Sequence, residues 1–194
     1  MKRTLFFTIM ILAFTIEIAN SQMLEKQPLW QEGDSWTYER TTKGNFSYTY
    51  TVSVVSKSQF QGRRSYRLEL KFYDAEGKMY EDFSKCFIHF TTELTYLGIE
   101  KPDGTVEEPT YLPLTINWRP LLKKGKERAS TPAGDFDTFR ILRKYSLPTK
   151  QEEFQEECWY SPKVKNFVKI IKTNYDIVDQ LVSYKFKGSE QNHR

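Results

Sequence analysis

Few side chains in this sequence have the types and spacing needed for catalysis or metal binding. The 194-residue chain contains two histidines, His89 and His193, and two cysteines, Cys86 and Cys158. A transition-metal site of ordinary spacing needs three or four such ligands grouped along the chain, and these four residues are scattered. The sequence also lacks the nucleophile-elbow, phosphate-loop, dinucleotide and zinc-protease motifs. We therefore expect no metal site, no cofactor and none of those enzyme classes.

His89 is the only histidine outside the C-terminal tail. It lies between Phe87 and Phe90 in a stretch with strand character. A neutral imidazole in such a stretch is more often a sheet surface residue than a general base. We therefore expect His89 to lie at the surface of a sheet.

Paired carboxylates could still support glycoside hydrolysis, which needs only two of them. Six glutamates occur in tight groups, namely Glu107, Glu108, Glu152, Glu153, Glu156 and Glu157. Clustered glutamates beside turns are ordinarily solvated, and linear spacing does not place two carboxyl groups about 5 to 9.5 Å apart. The sequence therefore favours a protein without enzymatic activity.

Cys86 and Cys158 both fall on predicted strands. In an oxidising compartment they could form a disulfide, which the chain-entropy model values at about 4 kcal/mol for so long a loop. A bridge requires Cα atoms within about 7 Å, which the sequence does not show. Two separately buried thiols are the alternative.

The N-terminus has the features of a secretory signal peptide. Lys2 and Arg3 precede the apolar run 5–16, and small residues Ala19 and Ser21 stand before a cleavage site at Gln22. About 12 apolar residues rise only about 18 Å as a helix, too short for a bilayer core of roughly 30 Å. We expect a signal peptide at 1–21, a single domain at 22–187, a disordered tail at 188–194 and no stable membrane span.

The expected export defines the compartment of the protein and limits the partners that it meets there. The formal net charge is only +4, and the densest basic stretch, 123–128, lacks the interleaved aromatic residues of a nucleic-acid groove. We expect a periplasmic or extracellular protein that binds no nucleic acid. No cysteine lies near the cleavage site, the first being Cys86, so we also expect that it is not a lipoprotein.

Period-two alternation is the main structural signal. Tyr and Phe are plentiful, alanine is rare after residue 21, and this composition is typical of strands rather than helices. Alternating runs are separated by turn residues, as at Asp74–Gly77 and Pro102–Gly104. Roughly nine or ten strands follow one another with short connections and no long helix. We predict a mainly β protein, an antiparallel meander curled into an incomplete barrel or half-barrel.

One face of this sheet is a candidate ligand surface. Its inward-facing residues on two adjacent strands are Tyr48, Tyr50, Val52, Leu68, Leu70 and Phe72. In a curled sheet these side chains could line a concave site for an apolar molecule. They could equally fill the interior and leave no cavity.

The strand predicted at 80–90 is apolar on both faces. Phe83 and Phe87 lie opposite Cys86, Ile88 and Phe90. Either a segment such as 112–118 covers the two phenylalanines, which we favour, or they form an exposed aromatic patch for a protein partner.

Three short motifs resemble a known family. The first is Gly33-Asp34-Ser35-Trp36-Thr37-Tyr38, and the second is the turn made by Pro132, Ala133, Gly134 and Phe136. The third joins Trp159, Tyr160, Pro162 and Val164. In this order they resemble a broad group of uncharacterised exported bacterial proteins with G-x-x-W-x-Y, P-A-G-x-F and W-Y-x-P-x-V motifs. The resemblance implies an incomplete barrel like that of bacterial lipoprotein carriers, and no established activity.

The motif residues also have a physical interpretation as corners of the fold. Gly134 permits a turn before Phe136, and Pro162 ends a strand after Trp159 and Tyr160. The family usually has glycine after the valine, where this chain has Lys165 and Asn166. Because Asn tolerates left-handed backbone geometry, we expect the turn to survive with an insertion.

Two functions are compatible with these sequence features. The first is an exported binding protein that holds a lipid or another apolar or amphipathic molecule in its curled sheet. The second is a structural or interaction protein of the cell envelope, which docks a protein partner through an edge strand or an aromatic patch.

Overall fold

The computed structural model describes residues 30–81, 87–91, 96–107, 126–146 and 153–188. Within these ranges the chain forms eleven strands and one short 3-10 turn, Thr173–Tyr175. All the strands belong to a single antiparallel sheet that does not close into a barrel. This confirms the predicted curled, open antiparallel architecture.

Most strands fall where alternation predicts them, but Tyr80 and Glu81, within the strand predicted at 80–90, lie outside the described strands. The strands are β1 (Ser35–Thr42), β2 (Asn45–Phe60), β3 (Arg63–Tyr73), β4 (Phe87–Thr91), β5 (Tyr96–Glu100), β6 (Val106–Glu107), β7 (Glu127–Thr131), β8 (Gly134–Ser146), β9 (Glu153–Ser161), β10 (Asn166–Lys172) and β11 (Ile177–Lys185). The sequence indicates nine or ten strands and the structure has eleven in the described ranges. The additional strand is the two-residue β6. β10 ends at Lys172, because the chain turns at Thr173–Tyr175.

The sheet consists of two meanders joined by the two ends of the domain. The strand order is β6-β5-β4-β3-β2-β1-β11-β10-β9-β8-β7, so every pair of neighbours is consecutive in sequence except β1 and β11. β1 therefore lies in the middle of the sheet, paired with β2 on one side and β11 on the other. The short strands β6 and β7 form the two edges.

The turns explain why the strands pair with their neighbours. The β1–β2 and β2–β3 connections are two-residue turns, Lys43-Gly44 and Gln61-Gly62, and all four residues have positive φ. This backbone matches the twist of adjoining antiparallel strands, and glycine adopts it without strain. At the predicted 102–104 turn, the Gly104 amide donates to the Lys101 carbonyl over 2.9 Å.

Side-chain alternation separates a dry face from a wet one. On the dry face, Trp36 and Tyr38 of β1 lie beside Val54 of β2 and Leu68 of β3, and none of the four is more than 3% exposed. The core continues through β8 to β11 with Ile141, Cys158, Tyr160, Val168 and Leu181. This is the period-two pattern expected of a sheet that buries one face.

The β9–β10 corner is tied to the first strand by side-chain hydrogen bonds. Trp36 Nε1 donates to the Val164 carbonyl over 2.7 Å, and Tyr38 Oη donates to the Phe167 carbonyl over 2.8 Å. Trp30 Nε1 donates to the Lys165 carbonyl over 2.7 Å. Two motifs far apart in sequence thus meet at one corner.

The turn at this corner differs in detail from the expectation. Lys165, not Asn166, adopts the left-handed conformation, with φ +56°. Asn166 begins β10, and its Oδ1 accepts the Phe167 amide over 2.8 Å. The Lys165 side chain gains compensating contacts, since its Nζ lies 3.5 Å from Asp34 Oδ2 and 4.4 Å from the Phe186 ring centre.

The other corner residues also lie at strand ends or in turns. Pro132 and Ala133 form the turn between β7 and β8, and Gly134 follows with φ +121°. Phe136 is buried, whereas Trp159 and Tyr160 point to opposite faces of β9. Pro162 follows directly after β9 ends at Ser161.

Several expectations concern residues outside the described ranges. These are the signal peptide at 1–21, the covering segment 112–118, Phe83, Cys86, and all of the tail except Gly188. The domain boundaries and the leader therefore stay predictions. Among the residues that the structure describes, no helix is long and apolar enough to span a bilayer.

Candidate functional site

An apolar groove on the dry face of the sheet is the best candidate site. Its volume is about 190 Å³. It is lined by Trp30, Tyr38, Val52, Leu68, Leu70, Ile88, Phe90, Asn166, Phe167 and Ile170. An engineered cavity of roughly 150 Å³ with aliphatic and aromatic walls can hold benzene, so this groove suits a short alkyl chain or one ring.

The groove exists because the sheet curls. Ile88 and Phe90 come from β4, and Phe167 and Ile170 come from β10. Five steps across the sheet separate these strands. At about 4.8 Å a step, a flat sheet would hold them roughly 24 Å apart, too far to share a small cavity. The curl brings the two meanders together around it.

Three polar atoms at the wall are hydrogen-bonded within the protein. The ring N–H of Trp30 and the hydroxyl of Tyr38 donate to backbone carbonyls of the β9–β10 corner. Asn166 Oδ1 accepts the next backbone amide. Since these groups are satisfied internally, the groove offers a ligand mainly apolar contact.

The predicted ligand-facing residues divide into two groups. Val52, Leu68 and Leu70 line the groove. Tyr48, Tyr50 and Phe72 lie farther along the same face, where their ring centres are 5.5 to 6.1 Å apart. The Tyr50 ring also stacks on Tyr38, with centres 5.2 Å apart. A continuous row of rings therefore leads from the groove along the sheet.

A buried ion pair stands beside this row, and the sequence patterns did not indicate it. Arg40 Nε and Nη2 donate to the two carboxylate oxygens of Asp179, each over 2.6 Å. The Asp179 side chain is only 1% exposed, whereas that of Arg40 is 19% exposed. Arg40 follows Trp36 and Tyr38 on the dry face of β1, and Asp179 precedes Leu181 on that of β11. The sequence signal that could have revealed this ion pair is the charged residue that each of the two strands carries on its apolar face.

Arg40 also contacts the tyrosines. Its Nη1 donates to Tyr48 Oη over 2.5 Å. The guanidinium carbon lies 5.2 Å from the Tyr48 ring centre and 5.5 Å from that of Tyr50, within the range of a cation–π interaction. Burial opposes the charge of Arg40, but the hydrogen bonds and charge of Asp179 raise its pKa overall. Arg40 is therefore a permanent cation here.

The tyrosines of this row stay protonated over a wide pH range. Burial raises the pKa of Tyr50 well above its usual value, and the nearby Asp179 charge raises it further. Burial also raises the pKa of Tyr48, despite the opposing effect of Arg40. Their hydroxyl groups are consequently available as hydrogen-bond donors.

A second cluster occupies the wet face around His89. His89 is 3% exposed, which corrects the expectation of a surface residue. Its ring stacks on Phe60, with centres 4.0 Å apart, and its Nε2 lies 3.0 Å from Glu100 Oε2. Arg67 donates two hydrogen bonds of 3.0 Å to the same carboxylate. The other imidazole nitrogen, Nδ1, is buried without a hydrogen-bond partner, so a substrate could not reach it.

Phe87 belongs to this cluster as well. The guanidinium of Arg67 lies 3.5 Å from the centre of its ring, so a charged group covers one face of the predicted aromatic patch. Its proposed companion Phe83 lies outside the described residues, and the docking role stays a prediction.

The cysteines and potential metal ligands add no further site. Cys158 is fully buried on β9, and no disulfide occurs among the described residues. Because Cys86 lies outside them, the pairing of the two cysteines stays a prediction. In the part of the chain that the structure covers, no three metal-ligating side chains group together.

A wider hollow of about 520 Å³ lies between the β7–β8 hairpin and the β9–β10 corner. Its wall mixes Lys126, Arg128 and Lys163 with Asp135 and Asp137. Arg128 and Asp135 are paired at 2.8 Å. This mixed, exposed surface selects no particular ligand charge.

Comparison with known proteins gives similarity of structure only. No protein-family model and no curated protein matches the chain. A candidate lipoprotein from Parabacteroides distasonis ATCC 8503 is 14% identical, with a TM-score of 0.44 over 80% of this chain and 96% of that one. A candidate exported protein with a YmcC-like fold from Bacteroides fragilis NCTC 9343 is 12% identical, with a TM-score of 0.46 over 80% and 97%.

A third solved structure, MucB, is 10% identical. Its TM-score is 0.38 over 84% of this chain and 56% of that one. The chain is thus similar in structure to proteins described as exported or as lipoproteins.

Proposed function

We propose that this chain is an exported, non-enzymatic binding protein that holds the apolar part of a small amphipathic molecule in its groove. The observation that carries the proposal is the groove of about 190 Å³, whose wall is almost entirely aliphatic and aromatic. The signal-peptide features of residues 1–21 support export. Mass spectrometry of the mature N-terminus would show whether a lipid anchor is attached.

The groove has an apolar wall whose shape the fold determines, and both properties favour the binding of an apolar molecule. Its wall consists of strands from both meanders, so its shape is set by the fold rather than by mobile loops. Apolar surface removed from water contributes about 25 cal/mol per Å². Because Trp30 Nε1, Tyr38 Oη and Asn166 Oδ1 are already hydrogen-bonded within the protein, apolar contact supplies most of the affinity and length supplies the selectivity.

A bulky substitution inside the groove tests the proposal. Leu70 lines the groove, while its neighbour Lys71 points to the wet face, where its side chain is 40% exposed. In Leu70→Trp the indole should occupy the cavity and displace a ligand. We expect this variant to bind the uncharged fluorescent probe N-phenylnaphthylamine at least about tenfold more weakly than the wild type, as one lost ring-sized contact predicts.

Lys71→Trp is the matched control, because it adds the same indole to the other face of β3. The purified exported protein carrying it should bind the probe as the wild type does, and both variants should unfold cooperatively in urea. Equal probe binding by the two variants, or no binding by the wild type, would exclude the groove as the binding site.

A further inference from the structure

The row of tyrosines next to the groove presents hydrogen-bond donors that the described part of the fold does not use. Arg40 has five N–H groups, and three of them are engaged, by two oxygens of Asp179 and by Tyr48 Oη. Two N–H groups therefore remain. Tyr48 Oη accepts from Arg40 and keeps its own proton, and Tyr50 Oη makes no hydrogen bond to another described residue.

The carboxylate of this cluster faces inward. Both oxygens of Asp179 are engaged by Arg40, and the Asp179 side chain is 1% exposed. The partly exposed surface is formed by the Arg40 guanidinium and the edges of Tyr48 and Tyr50, each of which is half-buried. It offers N–H and O–H donors, its remaining acceptors are the hydroxyl oxygens of Tyr48 and Tyr50, and the positive charge of Arg40 opposes a bound cation.

The position of the cluster links it to the groove. Tyr38 lines the groove, and the Tyr50 ring lies nearly parallel to it, with an angle of 20° and centres 5.2 Å apart. Arg40 lies on the same face, against Tyr50. A molecule lying along this face would have its apolar end in the groove and its polar end one ring away, at the donors.

We propose that Arg40, Tyr48 and Tyr50 form a head-group subsite that binds the carbonyl oxygen of a short-chain carboxylic acid or its ester. This rests on the proposed function, since the chain of the same molecule occupies the groove. The groove volume sets the length, because a wall that encloses little more than one ring takes a short alkyl chain rather than a long acyl chain. The raised pKa of Tyr50 keeps its hydroxyl a donor throughout the neutral range.

A series of ligands with the same chain tests the subsite. Octanoate, methyl octanoate and octylamine share a linear eight-carbon skeleton and differ in the head. We expect the first two to displace N-phenylnaphthylamine from the wild type at lower concentration than octylamine, whose ammonium group offers no acceptor. The better of octanoate and methyl octanoate identifies the free acid or the ester as the head-group chemistry.

Tyr50→Phe removes only the hydroxyl that the described fold leaves unpaired. We expect it to lower the affinity for octanoate or its methyl ester by about three- to tenfold, the usual effect of one hydrogen bond. The binding of N-phenylnaphthylamine and the stability to urea should not change. Tyr73→Phe, which removes a hydroxyl from the wet face of the adjoining strand, should change none of these.

The outcomes separate the subsite from the groove. If N-phenylnaphthylamine binds the wild type but octylamine competes as well as octanoate and its ester, or Tyr50→Phe leaves acceptor binding unchanged, the subsite is wrong and the groove stands. If the probe itself does not bind, both proposals fail.

Discussion

The environment of a single residue in this protein depends on the side chains that the fold places beside it. The sequence predicts His89 at a sheet surface, because alternation alone gives no information on what covers its ring. In the structure, Phe60 stacks on that ring and Glu100 binds its Nε2. Glu100 lies on the neighbouring strand and Phe60 two strands away. Alternation assigns a residue to a face, but burial on that face depends on which side chains meet above it.

The pairing of Arg40 with Asp179 could not be predicted from the sequence for a similar reason. The two residues are 139 positions apart, and they are adjacent only because the last strand pairs with the first. Local contacts between β1, β2 and β3 follow from short turns. The β1–β11 register is set where the two meanders join, which no local pattern specifies.

The Glu100 carboxylate gives a prediction at this scale. Hydrogen bonds from Arg67, and then from His89, lower its pKa below the ordinary value. A group whose pKa is lower in the folded state stabilises the protein above its unfolded pKa, and this contribution disappears as the pH falls through the folded pKa. Glu100→Gln should thus cost up to about 1 kcal/mol at pH 7 for this partly exposed pair.

Urea unfolding at several pH values measures the effect. The difference between wild type and Glu100→Gln should shrink as the pH falls below the ordinary pKa of glutamate and then through the lower pKa of the folded state, where the wild-type carboxyl becomes protonated as well. Glu107→Gln provides a control on a more exposed carboxylate, whose side chain is 58% exposed. If the difference in unfolding free energy between the two proteins does not change with pH, Glu100→Gln acts through packing and not through the loss of the charge.

At the scale of elements, the sequence predicted most of the sheet. Turn residues and period-two runs indicated most of the described strands, whereas only the Gly33–Tyr38 motif indicated β1, and the two residues of β6 are too few to show alternation. The same runs placed Val52, Leu68 and Leu70 on the groove face. They did not indicate Phe167 and Ile170, which reach the groove from β10. Which strands face each other across a curled sheet depends on the curl, and the curl is not a local property.

The glycine of β5 illustrates how tightly one element fits its neighbours. A Cβ on Gly98 would lie 2.8 Å from the Glu107 carbonyl oxygen and 3.4 Å from the Phe60 ring. Gly98 pairs with His89 in the β4–β5 register, beneath the ring that Phe60 covers. Gly98→Ala should therefore push β6 or Phe60 away and destabilise the fold by about 1–3 kcal/mol.

Gly104→Ala is the comparison, because its Cβ would meet no atom within 4 Å and only its left-handed backbone, with φ +80°, resists the change. We expect a cost of about 1 kcal/mol there. Urea midpoints of the two variants measure the difference. A Gly98→Ala protein as stable as the wild type would show that the edge strand moves aside freely.

At the scale of the whole molecule, the open sheet needs ties that hold its curl. A closed barrel would supply them through backbone pairing, but here β6 and β7 remain edges. Trp36 and Tyr38 instead reach from the central strand to the β9–β10 corner through side-chain hydrogen bonds. This corner leads into the strand that carries Phe167, so the ties that fix the curl also fix one wall of the groove.

Trp36→Phe tests this link between stability and binding. The substitution leaves the Val164 carbonyl, part of a fully buried residue, without its donor at 2.7 Å. An unsatisfied buried carbonyl costs about 1–3 kcal/mol, and the smaller ring adds a cavity. Trp159→Phe is the matched control, because that indole lies on the wet face between Arg140 and Lys169, where its N–H donates to the exposed Glu127 carboxylate, and loss of an exposed contact of this kind should cost under about 1 kcal/mol.

Binding of N-phenylnaphthylamine separates a tie from ordinary core packing. If Trp36 holds the curl, its loss should weaken probe binding under conditions in which the variant is still fully folded, because the β10 wall shifts relative to β3. Trp159→Phe should bind the probe as the wild type does. A Trp36→Phe protein that is less stable but binds the probe with unchanged affinity would mean that the curl is maintained by the sheet itself, with Trp36 contributing only to its core.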